Sequence, residues 1–410
     1  MGWAELFARV LGGESPVEIR AFDGSRTGPP GAEVCVEIRS PLALSHLAAA
    51  PGELGLARAY VTGAIEVHGD MYTALAAFPS IALEDVPPSL RRELLVKLAG
   101  YRLWWPVRPP AVEHRPRGLR RHSKRRDSEV ISYHYDVSNR FYEWVLGPSM
   151  TYTCAVYPTA TSTLEEAQFT KHDLVARKLG LREGMRLLDV GCGWGGMVMH
   201  AAEHYGVRAL GVTLSRQQAQ WAQKAIAERG LADLAEVRHL DYRDVTETGF
   251  DAISSIGLTE HVGLKQLPSY FSFLHDKLVP GGRLLNHCIT RPDGSYGARP
   301  GKFIGRYVFP DGELEPVGTL VSAMNDNGFE VRHEENLREH YALTLAGWCA
   351  NLEAHWDEAV AEAGLDRARV WRLYMAACRL GFERNVVQLH QVLGVRLDGT
   401  TAHYPLRPSW

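Results

Sequence analysis

The chain has 410 residues, enough for about two or three domains and a sizeable core. Hydrophobic residues make up 45% and charged residues 23%, the composition of an ordinary soluble globular protein, and a net charge of −3 argues against a dedicated nucleic-acid binder. The six cysteines (Cys35, Cys154, Cys192, Cys288, Cys349 and Cys378) form no CxxC pair, so neither zinc nor a disulfide framework is expected, and the expected compartment is a reducing cytoplasm. The N-terminus MGWAELFARVLGG lacks the basic start and apolar core of a signal peptide. No run approaches the roughly 20 apolar residues of a membrane span, so any membrane contact is expected to be peripheral.

Residues 1–106 read as a small α+β domain. Val17–Phe22 and Val34–Ile38 read as strands, joined through Gly28-Pro-Pro-Gly31. Helices are expected near Leu42–Ala50, Glu53–Tyr60 and Met71–Ala77. The stretch Leu90 to Trp105 mixes apolar and basic residues. It either packs on its own domain or lies on an anionic membrane surface. Residues 107–127 read as a basic linker, rich in Pro and Arg and ending Arg120-Arg-His-Ser-Lys-Arg-Arg126. Basic residues beside an anionic bilayer contribute on the order of 1 kcal/mol each. The cluster therefore points to phospholipid headgroups ahead of RNA, and residues 1–106 to a lipid-interaction domain.

Residues 128–410 read as the catalytic domain, opened by a helical segment from Ile131 to Trp144. From Arg186 strand and helix alternate, as a doubly wound Rossmann-like α/β sheet requires. Strands are expected at Arg186–Val190, Arg208–Thr213, Ala235–Leu240, Asp251–Ile256 and Gly282–Ile289, and later at Phe329–Asn336. Tyr307–Glu313 reads as a turn-rich insertion. Two long helices, Tyr341–Ala363 and Asp366–Val392, are expected to finish the chain.

The organising stretch is Leu187-Leu-Asp-Val-Gly-Cys-Gly-Trp-Gly-Gly196. It reads as a buried strand, a glycine turn and a helix N-terminus, where glycines let a ligand approach free N–H groups. Asp189 and the spacing Gly191-x-Gly193-x-Gly195 differ from the dinucleotide fingerprint. They look like the first motif of S-adenosylmethionine (SAM) methyltransferases, with Asp189, Gly191, Cys192, Gly193, Trp194 and Gly195 facing the amino-acid end of SAM. Ligands in such sheets bind at the carboxyl ends of the strands. There Thr213, Leu214, Ser215 and Gln218 replace the usual acid for the ribose, and Asp241 and Tyr242 are candidates for the adenine amino group and ring. Glu260-His261 follows the fourth strand. His287 lies in the fifth, either as a core residue or as a catalyst.

These words resemble one family, the cyclopropane-fatty-acyl-phospholipid synthases and mycolic-acid methyltransferases. The resemblance covers nearly the whole chain. It rests on His134-Tyr-Asp, Tyr152-Thr-Cys-Ala155, the glycine turn, Asp241-Tyr-Arg-Asp244, Glu260-His-Val-Gly263, Tyr341 ahead of Trp348, and Phe382-Glu-Arg-Asn385 ahead of Gln388. It implies SAM-dependent attack on a cis double bond of an acyl chain, with bicarbonate as general base. The bicarbonate would be held by Cys154, Glu260, Tyr341 and the backbone at His287 and Ile289, while Tyr152 and Thr153 reach SAM. Two anions can sit together only by sharing a proton, so Glu260 is expected to have an unusual pKa. Cys378 matches a cysteine suggested for catalysis, but a mid-helix apolar thiol is usually inert.

Leu258-Thr259, and Asn286 with Thr290-Arg291, depart from the cyclopropane pattern. They resemble the actinobacterial tuberculostearate branch, which makes 10-methylene stearate from oleoyl chains. The implied product is 10-methylene stearoyl phospholipid, with a cyclopropane as the alternative. The chain carries no flavin or NAD fingerprint, so a separate reductase is the implied partner for the methyl product. A homo-oligomer is also expected.

Overall fold

The computed structural model describes residues 1–13, 15–78, 87–100, 107–114, 124, 126–127, 138–294 and 301–410. The chain divides into two compact units. The first comprises Met1–Pro116, Gly301–Pro310 and Trp356–Leu380; the second comprises Arg117–Pro300, Asp311–His355 and Gly381–Trp410. This differs from the expected division at 106 and 128, because two later segments of the chain join the first unit.

In the first unit, strands β1 (Glu18–Ala21), β2 (Arg26–Thr27), β3 (Cys35–Ile38) and β4 (Ile65–His68) form a sheet in the order β2-β1-β3-β4. β1 and β3 run parallel, and the other pairs are antiparallel. Two of these strands were legible; β4 was not, and the two-residue β2 is too short to show a pattern. Helices Leu42–Ala49, Glu53–Val61 and Met71–Ala76 fall where expected. Trp3, Leu6, Leu44 and Leu90 close a small core. The apolar–basic stretch forms a helix over Pro88–Gly100, while Trp104 and Trp105 lie outside the described residues.

Arg58 makes two 2.7 Å bonds to the buried carboxylate of Glu113, which also accepts from the Tyr307 hydroxyl at 3.3 Å. Glu113 was expected in the linker; a buried bidentate ion pair makes it part of the first unit. Residues expected as a turn-rich insertion start inside a helix, Lys302–Tyr307.

The second unit holds a seven-stranded sheet: β5 (Arg186–Val190), β6 (Arg208–Thr213), β7 (Ala235–His239), β8 (Phe250–Ile256), β9 (Leu278–Thr290), β10 (Phe329–Asn336) and β11 (Gln388–Arg396). The order is β10-β11-β9-β8-β5-β6-β7. β5 to β9 are parallel, β11 is antiparallel to β9, and β10 is antiparallel to β11. β5 is central because Leu187, Leu188, Asp189 and Val190 are all buried, as a strand covered on both faces requires. One apolar layer includes Val198, Ala201, Ala219 and Ala222. The other includes Phe271, Leu274, Leu320 and Met324. The fold is the expected α/β Rossmann-like one.

The chain's end differs from expectation. The helices are Arg338–Ala354, Trp356–Ala363 and Leu365–Glu383, and Gln388–Arg396 is a strand. Asn385 at φ 56° turns the chain out of the helix. Leu389 to Val395 are then buried on both faces of the sheet, where Val392 and Val395 suit a strand. Continuous burial removes the alternation that marks a strand in sequence.

Candidate active site

The strand order reverses beside β5, which places a crevice beyond the carboxyl ends of β5 and β8. Gly191 and Gly193 sit there at φ 73° and 55°. Both Gly191 N–H and Cys192 N–H donate to Val212 O at 3.0 Å, which folds the turn back against β6. A Cβ on Gly191 would lie 3.2 Å from Leu258 Cβ, and one on Gly195 would lie 3.2 Å from Ala222 Cβ. The crevice is lined by Gly191, Gly193, Thr213, Leu214, Gln218, Tyr242, Gly257, Leu258 and His261, among others. Its polar rim suits the hydroxyls of a nucleoside cofactor.

The expected ribose residues divide. Thr213 donates to Gln218 Oε1 at 2.8 Å, and both line the crevice. Ser215 instead caps the helix Arg216–Glu228, accepting from Gln218 N at 3.3 Å, and is 2% exposed. Tyr242 lines the crevice, its ring held edge-on by Tyr270 at 5.3 Å. Asp241, expected to accept from adenine, has both oxygens engaged by Arg243 and caps a short turn. Burial opposes the charge on Asp241, but the bonds from Arg243 win and hold its pKa below the ordinary value. Asp189 is buried and accepts from Ser254 Oγ at 2.6 Å; burial raises its carboxyl to about 7.

The segment from Tyr152 to Tyr157 is strapped between two helices. Gln168 Nε2 donates to Thr153 O at 2.9 Å, and Lys171 Nζ to Thr153 Oγ1 at 3.1 Å. On the other side Ala155 N donates to Thr344 Oγ1, and Tyr157 N to His340 Nδ1, each at 3.0 Å. Aromatic rings join the strap to the glycine turn and to Tyr341. Trp194 meets Tyr142 at 4.8 Å, Tyr142 meets Tyr152 at 6.1 Å, and Tyr152 meets Trp348 at 5.3 Å. Trp348 meets Tyr341 at 6.0 Å, and Tyr341 packs on Phe382 at 4.4 Å. Cys154 is fully buried, its thiol directed at Ala155 O and Leu337 O. Burial pushes that thiol far up, so it stays protonated.

Glu260 stands on the short helix Thr259–Val262, just past β8. Oε1 accepts from Ile289 N at 2.7 Å, while Oε2 is buried without a hydrogen-bond partner. Burial raises the carboxyl to about 7, against a smaller opposing pull from the Ile289 N–H. Desolvation is thus enough to make the pKa unusual. Beneath this carboxylate, Thr259 Oγ1 bonds Asn286 Oδ1 at 2.5 Å, and Asn286 Nδ2 bonds Cys288 Sγ at 3.3 Å, all buried. The side chains of the helix divide between two spaces. Leu258, His261 and Val262 line the cofactor crevice, whereas Thr259 and Glu260 line a smaller, narrow cleft.

The His287 side chain is buried, and its Nε2 has no hydrogen-bond partner. It is 1% exposed, its Nδ1 meets Gln391 Nε2 at 3.1 Å, and burial pushes its pKa well below the ordinary value. Its carbonyl accepts from Gly257 N at 2.8 Å. Cys378 lies on the Leu365–Glu383 helix, in the part belonging to the first unit. His134-Tyr-Asp136 lies outside the described residues.

Lys171 belongs to no motif in the sequence. It is fully buried, with Nζ 2.9 Å from His172 Nε2, and burial lowers its amine to about 7. The signal for its helix was Thr163-x-x-Glu166, which forms a capping box at the start of Leu164–Leu179. The basic linker also gains structure. Arg126 forms a buried bidentate pair with Asp311, and Lys124 pairs with Asp244. Arg126 is therefore unavailable to a membrane. Arg120, Arg121 and Arg125 lie outside the described residues.

A glycine turn under such a crevice, at the reversal of a sheet with an antiparallel β11, defines a SAM-dependent methyltransferase. The family model for mycolic acid cyclopropane synthetase matches residues 122–392, and the chain belongs to that family. A probable fatty acid methyltransferase of Mycobacterium tuberculosis is 54% identical over 99% of this chain and 97% of its own length. One from Pseudomonas putida is 37% identical over 93% of this chain and 92% of its own. Among solved structures, the M. tuberculosis cyclopropane synthase MmaA2 aligns with TM-score 0.61 and 33% identity, covering 65% of this chain and 98% of that one. The mycolic acid cyclopropane synthase CmaA1, complexed with SAH and CTAB, aligns with TM-score 0.62 and 33% identity, covering 65% and 97%. The protein is an enzyme of the SAM-dependent fatty acid methyltransferase family. Calorimetry on the purified protein is expected to show binding of SAM and S-adenosylhomocysteine. Gly191→Val, which brings a branched side chain against Leu258 at a positive φ, is expected to abolish both.

Proposed function

We propose that the enzyme methylates the cis double bond of an oleoyl phospholipid and releases 10-methylene stearoyl phospholipid, the precursor of 10-methyl stearate. The observation that carries this reading is Glu260: a buried carboxylate, aimed by a backbone N–H and poised near neutrality. SAM, when bound, supplies an electrophilic methyl group. Gly191, Gly193, Thr213, Gln218 and Tyr242, which line the crevice, would hold it, and the packed aromatic rings from Trp194 to Tyr341 would keep water from the reacting methyl. A π bond is a weak nucleophile, so alignment and dryness supply much of the rate. Methylation leaves a cation on the acyl chain, and the base at Glu260 steadies it and removes a proton. Bicarbonate fits as an intermediary, because its hydroxyl can donate to the unpartnered Glu260 Oε2. To use the Ile289 N–H as well, it must share a donor already bonded to Oε1.

Product choice rests on the residues beneath Glu260. Thr259 and Asn286, both departures from the cyclopropane pattern, are bonded to each other, and Thr290 bonds His390 Nδ1 at 2.7 Å. This interlock fixes where the base stands. A base slightly displaced from the cation leaves time for a hydride shift from C10 to C9, giving the more stable tertiary cation. Proton loss from the new methyl then gives the methylene. Proton NMR of the product is expected to show vinylidene hydrogens. Upfield cyclopropane hydrogens in their place would assign the enzyme to the cyclopropane synthases.

Substrate access is proposed to occur at an anionic phospholipid surface, with the enzyme as a homo-oligomer and a separate reductase consuming the methylene product. Among the described residues no helix is long and apolar enough to cross a membrane. The protein is expected to sediment with anionic vesicles, less so at high salt, where charges are screened. Replacing Arg120, Arg121, Lys124 and Arg125 by Ser, with Arg126 kept, is expected to reduce sedimentation and leave SAM affinity unchanged. Equal binding to neutral and anionic vesicles at every salt concentration would refute this.

A further inference from the structure

The smaller cleft beside Glu260 has an acidic wall. Glu313 and Glu315 line it together with Thr259, Glu260 and Leu264. Glu313 is tied in by its backbone N–H, which donates to Glu260 O at 2.9 Å, and by Oε2, which accepts from Leu264 N at 3.1 Å. Glu315 is 8% exposed. Its Oε2 lies 3.5 Å from Arg291 Nη2, and its carbonyl accepts from Arg291 N at 3.2 Å. Its other oxygen, Oε1, is buried without a partner, as is Glu260 Oε2. Two such oxygens on one small cleft each call for a proton or a water, since an unsatisfied buried carboxylate is costly. Burial raises the carboxyl of Glu315, Arg291 draws it back, and Glu313 raises it again.

We propose that this cleft is a proton outlet, in which Glu315 receives through water the proton collected at Glu260 and passes it to solvent. The proposal rests on the reaction described above and adds the path by which that reaction is reset. Transfer of a methyl from a sulfonium to a neutral alkene moves one positive charge onto the acyl chain. Loss of one proton restores a neutral product and leaves a neutral thioether. That proton must leave before the base can act again. The cofactor crevice lies on the Leu258 and His261 side of the short helix. The Glu260 side opens instead toward Glu313 and Glu315, so the proton can leave without crossing the dry site.

The test uses the full-length enzyme with SAM and vesicles of oleoyl phospholipid. Glu315→Gln is expected to lower kcat at least tenfold and leave the KM for SAM within about twofold. Added formate or imidazole at constant ionic strength is expected to restore the variant's rate and leave wild type unchanged. The variant is also expected to gain a solvent deuterium isotope effect on kcat. Glu315→Asp, which keeps a carboxyl, is expected to retain turnover, and SAM affinity checks that each variant is folded. A wild-type rate in Glu315→Gln overturns the outlet, as does a slow rate that neither buffer nor deuterium affects. If wild type itself forms no product, the function proposed above fails and the outlet with it. Active wild type with inert Glu260→Gln and unimpaired Glu315→Gln removes the outlet alone.

Discussion

Glu260→Gln is expected to lower turnover by about 10²- to 10⁴-fold, the usual worth of a positioned base, with SAM affinity unchanged. The amide oxygen can still accept from Ile289 N, so the local geometry survives. Only the charge and the proton acceptor are lost. The carboxyl is raised from 4.5 to about 7 by burial, so the folded enzyme holds it protonated below that pH. A base needs the deprotonated form, so wild-type turnover is expected to climb as pH rises through about 7 and then level. The variant is expected to lose that limb. Stability moves the other way: between 4.5 and about 7 the folded state binds a proton that the unfolded state lacks, so stability falls as pH rises. Near wild-type rates in Glu260→Gln would show that the base lies elsewhere.

Asp311→Ala is expected to cost about 3–5 kcal/mol, because it removes the buried carboxylate that takes two bonds from the Arg126 guanidinium. The two side chains are only 9% and 7% exposed, and both Asp311 oxygens are bonded. Lys124→Ala is expected to cost less than about 1 kcal/mol, since Lys124 and Asp244 are each about half exposed. Urea unfolding of both variants checks the contrast. Equal small losses would mean that Arg126 finds water when Asp311 is removed.

The glycine turn was legible because its chemistry is local. A turn at positive φ needs glycine, and an apolar run followed by glycines and a helix has few other readings. Glu260 was legible for a similar reason, as an acid directly past a buried strand. The bonds that give these residues their properties were not. Arg126 meets Asp311 across 185 positions, and Thr259 meets Asn286 across 27. No period or spacing encodes such pairs, and an arginine in a basic run looks the same whether solvated or buried. Ser215 and Asp241 carry local bonds that their sequence positions do not show. Polar residues at strand ends invite a ligand, yet one caps a helix and the other is held by Arg243. β11 was hidden because burial on both faces erased its alternation.

The first unit is assembled from three stretches of chain, and this bears on how the protein is made. Residues 1–116 leave the ribosome early, but the buried guanidinium of Arg369 bonds Tyr60 O at 3.1 Å and also pairs with Glu66. Tyr307 likewise joins the buried pair of Arg58 and Glu113. Those partners are synthesised only after most of the sheet of the second unit. The opening segment must therefore wait without the bonds that Arg369 adds to Glu66, which Arg39 already pairs, and to Tyr60 O, which Gly63 N already reaches, while the central strands form. Translation pauses or a holding chaperone acting on the first hundred or so residues should influence yield more than the same intervention later. Fusions that end before Arg369 should accumulate as protease-sensitive chains.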